Sequence, residues 1–190
     1  MLDKSAQAGQ HTYQERGDDV YFTPEVAVEA LLQVETLPEK IWEPACGSGN
    51  IVKVLRARGH TVYASDINNY GCGEPGVDFL TTDAIPPAEA IVTNPPFKLI
   101  QKFVERALEL CPLVIILARL AFYEGQRRSK LLEESGLTRI HVFANRLPMI
   151  HREGWTGPKA SSAIVFAWFT WQKGYTGPTT IDRISWEKSP

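Results

Sequence analysis

The feature that most constrains this 190-residue sequence is its regular alternation between short apolar runs and amphipathic segments. Ala88–Thr93 and Leu113–Leu120 are apolar runs of strand length, and the second is apolar throughout, as expected of a strand buried on both faces. Between them, Lys98–Leu110 carries apolar residues at helical spacing. Because such an alternation is typical of parallel strands joined by crossover helices, we predict a single doubly wound α/β domain.

The same patterns predict the other elements of the domain. Helices are expected from Thr23-Pro24, over Asn50–Arg58 and over Gln126–Glu134, and strands over Lys40–Glu43, His60–Ser65, Arg139–Phe143 and Ser162–Gln172. Trp168 and Trp171 on the last strand are expected to pack in the core. The first residues are polar, so we predict a flexible segment over 1–19 and one domain over 20–190.

Composition excludes several classes of protein. With 44% hydrophobic and 22% charged residues, the chain is expected to be globular. No apolar run reaches the ~18–20 residues of a membrane helix, and Met1-Leu2-Asp3-Lys4 does not begin a signal peptide. The three cysteines are far apart and form no Cys-x-x-Cys pair, which argues against a disulfide scaffold or zinc cluster. We therefore expect a cytoplasmic protein with no membrane partner.

The formal charge of −2 hides an uneven distribution. Residues 1–97 hold 6 basic and 14 acidic side chains, whereas residues 98–160 hold 11 basic and 6 acidic ones. Such a split favours a surface that faces a polyanion, although charges on amphipathic helices also serve simply as solvated faces.

A glycine turn follows the first predicted strand. Cys46-Gly47-Ser48-Gly49 stands between a strand and a helix, at the edge of the sheet where ligands bind in such folds. Asp66 follows 19 residues after Gly47, at the end of the next strand, where a carboxylate can accept both hydroxyls of a ribose. Val52 replaces the third glycine of a dinucleotide motif. The pattern thus favours an adenosine-type cofactor, and the alternative is a structural turn with a surface aspartate.

A second segment, Asn94-Pro95-Pro96-Phe97, follows another predicted strand. Its two prolines lack backbone donors, so the Asn94 side-chain oxygen and the Pro95 carbonyl could both accept hydrogen bonds from one planar amino group. Phe97 could stack on the ring that carries this group. This arrangement suits methylation of a conjugated amine, a reaction that needs alignment rather than a metal. The alternative is a Pro-Pro turn that merely ends a strand.

With both segments placed, the sequence resembles the class I S-adenosylmethionine-dependent methyltransferases, and within them the DNA adenine-N6 methyltransferases. The order of its motifs is similar to the gamma arrangement, and the stretch 19–171 is most similar to the short enzymes of phages and prophages. Asn94-Pro95-Pro96-Phe97 matches the family's catalytic motif [D/N/S]-P-P-[Y/F]. The resemblance implies a Rossmann-like, seven-stranded sheet whose last strand, about Ser162–Gln172, is antiparallel.

The resemblance also implies roles for individual residues. The catalytic residues would be Asn94, Pro95, Pro96 and Phe97, acting on an adenine flipped out of DNA. The residues that bind S-adenosylmethionine would be Tyr21, Phe22, Thr23, Pro24, Glu43, Pro44, Ala45, Cys46, Gly47, Gly49, Asp66, Ile67, Asp83, Ala84 and Asn94. Among them, Tyr21–Pro24 would close over the methionine end and Asp66 would bind the ribose. Ile67 would flank the cofactor's adenine, and Asp83-Ala84 would bind its amino group.

Basic residues in two later loops are the candidate DNA contacts. They are Arg119, Arg127, Arg128 and Lys130 after the central strand, and Arg146, Arg152 and Lys159 in a loop that also holds His151 and Trp155. Basic and aromatic side chains together suit phosphate contact and base stacking. Only 93 residues follow Phe97, too few for a separate recognition domain. We therefore expect relaxed or short-site specificity, or a partner that is a second copy or a specificity subunit.

Other functions of the same fold stay open at this point. Enzymes with related motifs methylate a glutamine amide of a protein, RNA bases, or the N4 amino group of cytosine. A non-catalytic binding module could also retain the fold. Phe97 in place of tyrosine and the basic later half favour a nucleic acid, Asn94 in place of serine favours adenine over cytosine, and the intact motif positions favour an enzyme.

Overall fold

Eight strands and three helices make up the parts of the chain that the computed structural model describes, residues 22–149 and 164–187. The strands are β1 (Lys40–Glu43), β2 (Thr61–Asp66), β3 (Glu74–Pro75), β4 (Ala90–Thr93), β5 (Leu113–Arg119), β6 (Leu137–Phe143), β7 (Phe166–Gln172) and β8 (Thr180–Ile184). The α-helices are α1 (Glu25–Leu31), α2 (Asn50–Ala57) and α3 (Ile100–Leu110). The segment 1–19, predicted to be flexible, lies outside the described residues.

All eight strands join one sheet in the order β3-β2-β1-β4-β5-β7-β6-β8. Strand β1 pairs in parallel with β2 on one side and with β4 on the other, so the strand order reverses between β1 and β4. Strand β7 is antiparallel to both of its neighbours, β5 and β6. The predicted single-domain, Rossmann-like α/β fold is thus confirmed, including an antiparallel strand near the C-terminal end.

The predicted number of seven strands is wrong by one. Strand β8 follows the antiparallel strand and pairs in parallel with β6, from Thr180 beside Arg139 to Ile184 beside Phe143. It lies at the edge of the sheet, where Thr180, Ile181, Asp182 and Arg183 are all exposed. An exposed edge strand needs no apolar run, and for that reason the hydrophobic pattern did not indicate it.

Each face of the sheet carries its own apolar core. On one face, α1 and α2 pack over side chains such as Ile41 and Val92, and on the other α3 packs over Trp42 and Ile91. Neighbouring residues of a strand point to opposite faces, so the continuous apolar runs reflect burial on both sides. Trp168 and Trp171 are fully buried, as expected of packing residues.

Most predicted elements keep their type with ends shifted by one or two residues, and two differ more. The helix predicted over Gln126–Glu134 is instead a 3₁₀ turn over Gln126–Arg128 followed by a π-helical turn over Lys130–Glu134. The Arg128 guanidinium donates to the Phe122 and Glu124 carbonyls and so ties the first turn back to the preceding loop. The strand predicted over Ser162–Gln172 begins at Phe166, where its pairing with Arg119 begins.

A buried polar cluster connects the end of α1 to the sheet. Glu35 accepts hydrogen bonds from Arg139 at 2.7 and 2.8 Å, from Thr170 at 2.9 Å, and lies 3.0 Å from His141 Nε2. Burial alone would raise the pKa of Glu35, but the bonds from His141, Arg139 and Thr170 outweigh it and lower the pKa to about 2. Glu35 is therefore a carboxylate in the folded protein at neutral pH.

None of the helices within residues 22–149 and 164–187 is long and apolar enough to cross a membrane.

Candidate functional site

A cavity opens where the strand order reverses, at the carboxyl ends of β1, β2 and β4. Its empty space, which includes space open to solvent, amounts to about 880 Å³. Four stretches of chain form most of its wall: the glycine turn after β1, the end of β2, the segment Val77–Leu80, and the loop after β4. The topology therefore brings the two segments singled out in the sequence to one place.

The glycine turn needs residues without a Cβ. Gly47 and Gly49 both have positive φ, at 49° and 84°. A Cβ at Gly47 would lie 3.2 Å from the Phe22 ring, and one at Gly49 would lie only 2.5 Å from Cys72 Sγ. Both glycines let the turn fold tightly, but only Gly47 lines the cavity, and Gly49 is buried behind it.

Asp66 is held by the backbone at the edge of the cavity. Its Oδ2 accepts a hydrogen bond from the Gly47 amide at 3.0 Å, and its Oδ1 accepts one from the Asn68 amide at 2.8 Å. The residue is only 5% exposed. Each carboxylate oxygen can accept a second bond, so these contacts orient Asp66 and still allow it to bind hydroxyls. Ile67, next in sequence, also lines the cavity and is 61% exposed.

Glu43 lies beneath the glycine turn and does not line the cavity. Its Oε1 accepts hydrogen bonds from Thr93 Oγ1 at 2.6 Å and from the Ala45 amide at 3.1 Å, while Oε2 is buried and has no hydrogen bond to any residue that the structure describes. Burial, with a smaller contribution from the charge of Asp66, raises the pKa of Glu43 to about 8. Glu43 thus connects the glycine turn to Thr93, the residue before Asn94.

The loop after β4 forms another part of the wall. Asn94, Pro95, Pro96 and Phe97 all line the cavity. The Asn94 Nδ2 donates to Thr23 Oγ1 at 3.0 Å, and Asn94 Oδ1 is shielded from solvent. A ligand can therefore reach Asn94 Oδ1 only after neighbouring atoms move.

Arg119 covers one face of Phe97. Its guanidinium carbon lies 4.2 Å from the centre of the ring, within the range of a cation–π contact. Phe166 lies against the same ring at a centroid distance of 5.9 Å. A base that stacked on the Arg119 face would have to displace this side chain. The structure thus places Arg119 against the loop after β4 rather than on an open surface.

The other predicted DNA contacts occupy different environments. Arg127, Lys130 and Arg146 are exposed. Arg128 is half-buried, and besides its two carbonyl bonds it lies over the Phe122 ring at 5.0 Å. Arg152 and Lys159, like His151 and Trp155, lie outside the described residues, as does Tyr21.

An aspartate that the sequence analysis did not select lines the cavity. Asp78 caps a turn, with its Oδ1 accepting from the Leu80 amide at 2.9 Å, and Phe79 is buried against Trp42 at a centroid distance of 5.1 Å. Asp83 and Ala84 are exposed and do not line the cavity, because the chain turns away after Leu80. An acidic residue followed by two apolar residues, Asp78-Phe79-Leu80, was the available signal in the sequence.

The described residues include no group of three or more His, Cys, Asp or Glu side chains that could hold a metal ion. Burial raises the pKa of the Cys46 thiol in the glycine turn, which agrees with the absence of any predicted nucleophilic role for it.

No protein-family model matches the chain, and no curated protein sequence matches it. Solved structures do match. A candidate RNA methyltransferase from Pyrococcus horikoshii has a TM-score of 0.61 and 15% identity, over 80% of this chain and 86% of the other. A candidate class I S-adenosylmethionine-dependent methyltransferase from Listeria monocytogenes has a TM-score of 0.60 and 14% identity, over 85% of this chain and 65% of the other. The modification subunit of a candidate type I restriction enzyme from Vibrio vulnificus has a TM-score of 0.56 and 15% identity, over 86% of this chain and 46% of the other. At these identities the likeness establishes the fold.

Proposed function

We propose that the protein transfers a methyl group from S-adenosylmethionine to the exocyclic N6 amino group of adenine in DNA. The observation that carries this proposal is the position of Asn94-Pro95-Pro96-Phe97 in the same cavity as the glycine turn and Asp66. Three of the solved structures that share the fold are described as methyltransferases or as a modification subunit, which supports the reaction class.

The cavity residues fit an adenosine-type cofactor. A Cβ at Gly47 would crowd the Phe22 ring at 3.2 Å, and without one the backbone at this position can lie directly against a ligand. Asp66 would accept the ribose hydroxyls, with Ile67 beside the adenine. We assign the contact with the cofactor's adenine amino group to Asp78 instead of Asp83, because Asp78 lines the cavity. S-adenosylmethionine, when bound, supplies a methyl group on a cationic sulfur.

Asn94 and Pro95 would act on the nucleophile. The Asn94 side-chain oxygen and the Pro95 carbonyl would each accept an N–H of the target amine, which draws its lone pair out of conjugation with the ring. The amine loses its proton after it has become cationic, so no strong base is needed. Holding the amine in line with the methyl group is the main contribution, worth up to roughly 7–11 kcal/mol in favourable cases.

Phe97 and the basic loops would bind the nucleic acid. The flipped base would stack on Phe97 after Arg119 moves aside, and exposed Arg127, Lys130 and Arg146 would contact phosphates. The modification subunit among the solved structures supports DNA as substrate and a specificity subunit or second copy as partner. RNA is the second candidate substrate, because another of these structures is described as an RNA methyltransferase.

The direct test incubates the protein with labelled S-adenosylmethionine and, separately, DNA, RNA or a protein extract. We expect label in DNA. Asn94→Ala should abolish transfer yet leave cofactor affinity, measured by titration calorimetry, within about threefold, because the residue acts on the amine. Label only in RNA or protein would contradict the proposed substrate, and full activity of Asn94→Ala would contradict the role of Asn94.

A further inference from the structure

Two cysteine thiols meet behind the glycine turn, although Cys46 and Cys72 are 26 residues apart in sequence. Cys46 Sγ donates to the main-chain carbonyl of Cys72 at 3.0 Å, and the two thiols are also within hydrogen-bond reach of each other. Cys72 Sγ packs against the turn so closely that a Cβ at Gly49 would lie 2.5 Å from it. Both cysteines are free thiols in this structure.

Both cysteines are anchored to the end of β2. The Cys46 amide donates to the Ser65 carbonyl at 3.0 Å. The chain after Cys72 lies against the same strand, because a Cβ at Gly73 would be 2.5 Å from the Ala64 carbonyl oxygen. Strand β3 begins directly afterwards and pairs with β2. The two thiols are therefore brought together by the fold, from two segments that are each fixed to one strand.

The two thiols differ in access and reactivity. Cys46 is 7% exposed and lines the cavity, whereas Cys72 is half-buried. Burial raises the pKa of the Cys46 thiol most, and the nearby Cys72 raises it further by its charge and its hydrogen bond. Because the thiolate is the reactive form, a reagent that arrives from solvent would react first at Cys72.

We propose that Cys46 and Cys72 form a thiol-modification site, which a small disulfide oxidant converts to an intramolecular disulfide. With glutathione disulfide as the oxidant, the Cys72 thiolate attacks one of its sulfurs and releases one glutathione. Cys46 then loses its proton, attacks the Cys72 sulfur of the mixed disulfide and releases the second glutathione. The two protein thiols thus lose two hydrogens and two electrons, and glutathione disulfide gains them as two molecules of glutathione.

Oxidation would change the wall of the cavity. An S–S bond of about 2.05 Å is much shorter than a hydrogen bond between two thiols, so the sulfurs must move together. Cys46 belongs to the glycine turn, and the next residue, Gly47, holds Asp66 through its amide at 3.0 Å. The disulfide would therefore disturb the carboxylate to which we assign the ribose, and this part of the inference rests on the proposed function. We expect binding of S-adenosylmethionine to weaken about tenfold, within the usual range for coupling between two sites.

The test equilibrates the full chain in glutathione buffers of increasing disulfide content and maps the products by mass spectrometry without reduction. We expect one disulfide, between Cys46 and Cys72, that a reducing agent reverses. Cys72→Ser should form none. Cys111→Ala is the matched control and should still form the disulfide, because Cys111 is buried in the core on the other face of the sheet.

The affinity for S-adenosylmethionine, measured by titration calorimetry, gives a second readout. It should fall about tenfold on oxidation of the wild type and of Cys111→Ala, and it should not respond to the oxidant in Cys72→Ser. By reciprocity, saturating S-adenosylmethionine should shift the equilibrium of oxidation towards the thiols by the same factor.

The outcomes distinguish the inference from the proposed function. If the folded protein forms no disulfide between Cys46 and Cys72 at any glutathione ratio, or if that disulfide leaves the affinity for S-adenosylmethionine unchanged, the inference is overturned. A reduced wild type that binds no S-adenosylmethionine or methylates no nucleic acid would contradict the proposed function, while the mapped disulfide would still establish the thiol pair.

Discussion

At the scale of single residues, the loop after β4 is held at two successive positions. Glu43 accepts from Thr93 beneath the cavity, and Thr23 accepts from Asn94 beside it. Arg119 lies over Phe97 on the next part of the same loop. These three contacts come from different parts of the chain, so the loop is ordered by the folded protein rather than by its own sequence. Such support is what a group needs to act at a defined position on a substrate.

The glycine turn provides a sharp test at this scale. Gly49→Ala should lower the affinity for S-adenosylmethionine at least tenfold, because a Cβ there would lie 2.5 Å from Cys72 Sγ and the turn would have to shift. Gly59→Ala is the control, since Gly59 has a similar positive φ of 91° but no atom within 4 Å of the added Cβ. Both variants should lose stability, by about 1–2 kcal/mol from the left-handed backbone alone. Titration calorimetry would contradict this account if both variants lost affinity equally.

At the scale of elements, the cluster around Glu35 fastens α1 to the C-terminal strands. Arg139 and His141 lie on β6 and Thr170 lies on β7, so one carboxylate connects the turn after α1 to two strands. Helix α1 follows directly after Thr23, and its attachment therefore also fixes the residue that contacts Asn94. The partners of Glu35 are more than 100 residues away in sequence, so no local sequence pattern could indicate this cluster.

We expect Glu35→Gln to destabilise the protein by about 3 kcal/mol at pH 7, from a pKa of about 2 in the folded protein against 4.5 for the free side chain. The lowered pKa stabilises the fold above pH 4.5, and this contribution is lost as the pH falls from 4.5 towards 2. The difference between wild type and variant in urea unfolding should therefore fall from about 3 kcal/mol at pH 7 to about 1.4 kcal/mol at pH 3. Glu133→Gln, at an exposed position, should change stability little at either pH. An equal deficit of Glu35→Gln at both pH values would contradict the assigned charge.

Some elements followed from the sequence and others could not. Strand β1 has the predicted bounds Lys40–Glu43, and it ends where the glycine turn approaches. The Asp66 and Asn94 positions followed from the rule that loops after parallel strands share one edge. Strand β8 and the broken helix over 126–134 did not, because an exposed edge and a loop tied by Arg128 depend on tertiary contacts. The cavity wall at Asp78 likewise depends on the path of the chain between β2 and β4.

At the scale of the whole molecule, the basic residues of the later half can be assigned to one edge of the sheet or the other. The loop that holds exposed Arg127 begins at the carboxyl end of β5, on the same edge of the sheet as Asn94. Lys130 stands beside Leu131, whose carbonyl accepts from Trp171 near the amino end of β5. Gln172 at the end of the antiparallel strand lies beside Leu113, the first residue of β5, so the exposed Lys173 that follows it lies at the opposite edge. A nucleic acid bound over the cavity would thus contact the loop that holds Arg127 and not Lys173.

Salt dependence of binding tests this orientation. Arg127→Ala should reduce the slope of log affinity against log salt concentration by about 1, the value expected for one lost phosphate contact. Lys173→Ala removes the same charge at the opposite edge and should leave the slope unchanged. Fluorescence anisotropy with a labelled duplex between about 50 and 200 mM salt gives both slopes. Equal slopes for the two variants would place the DNA elsewhere.

Identification of the methylated nucleoside is the sharpest test of the proposed reaction. DNA incubated with the protein and S-adenosylmethionine is digested to nucleosides and separated by liquid chromatography with mass detection. We predict N6-methyladenine with the wild type and none with Asn94→Ala. N4-methylcytosine as the product, or no methylated nucleoside in DNA from a protein that binds S-adenosylmethionine, would contradict the account.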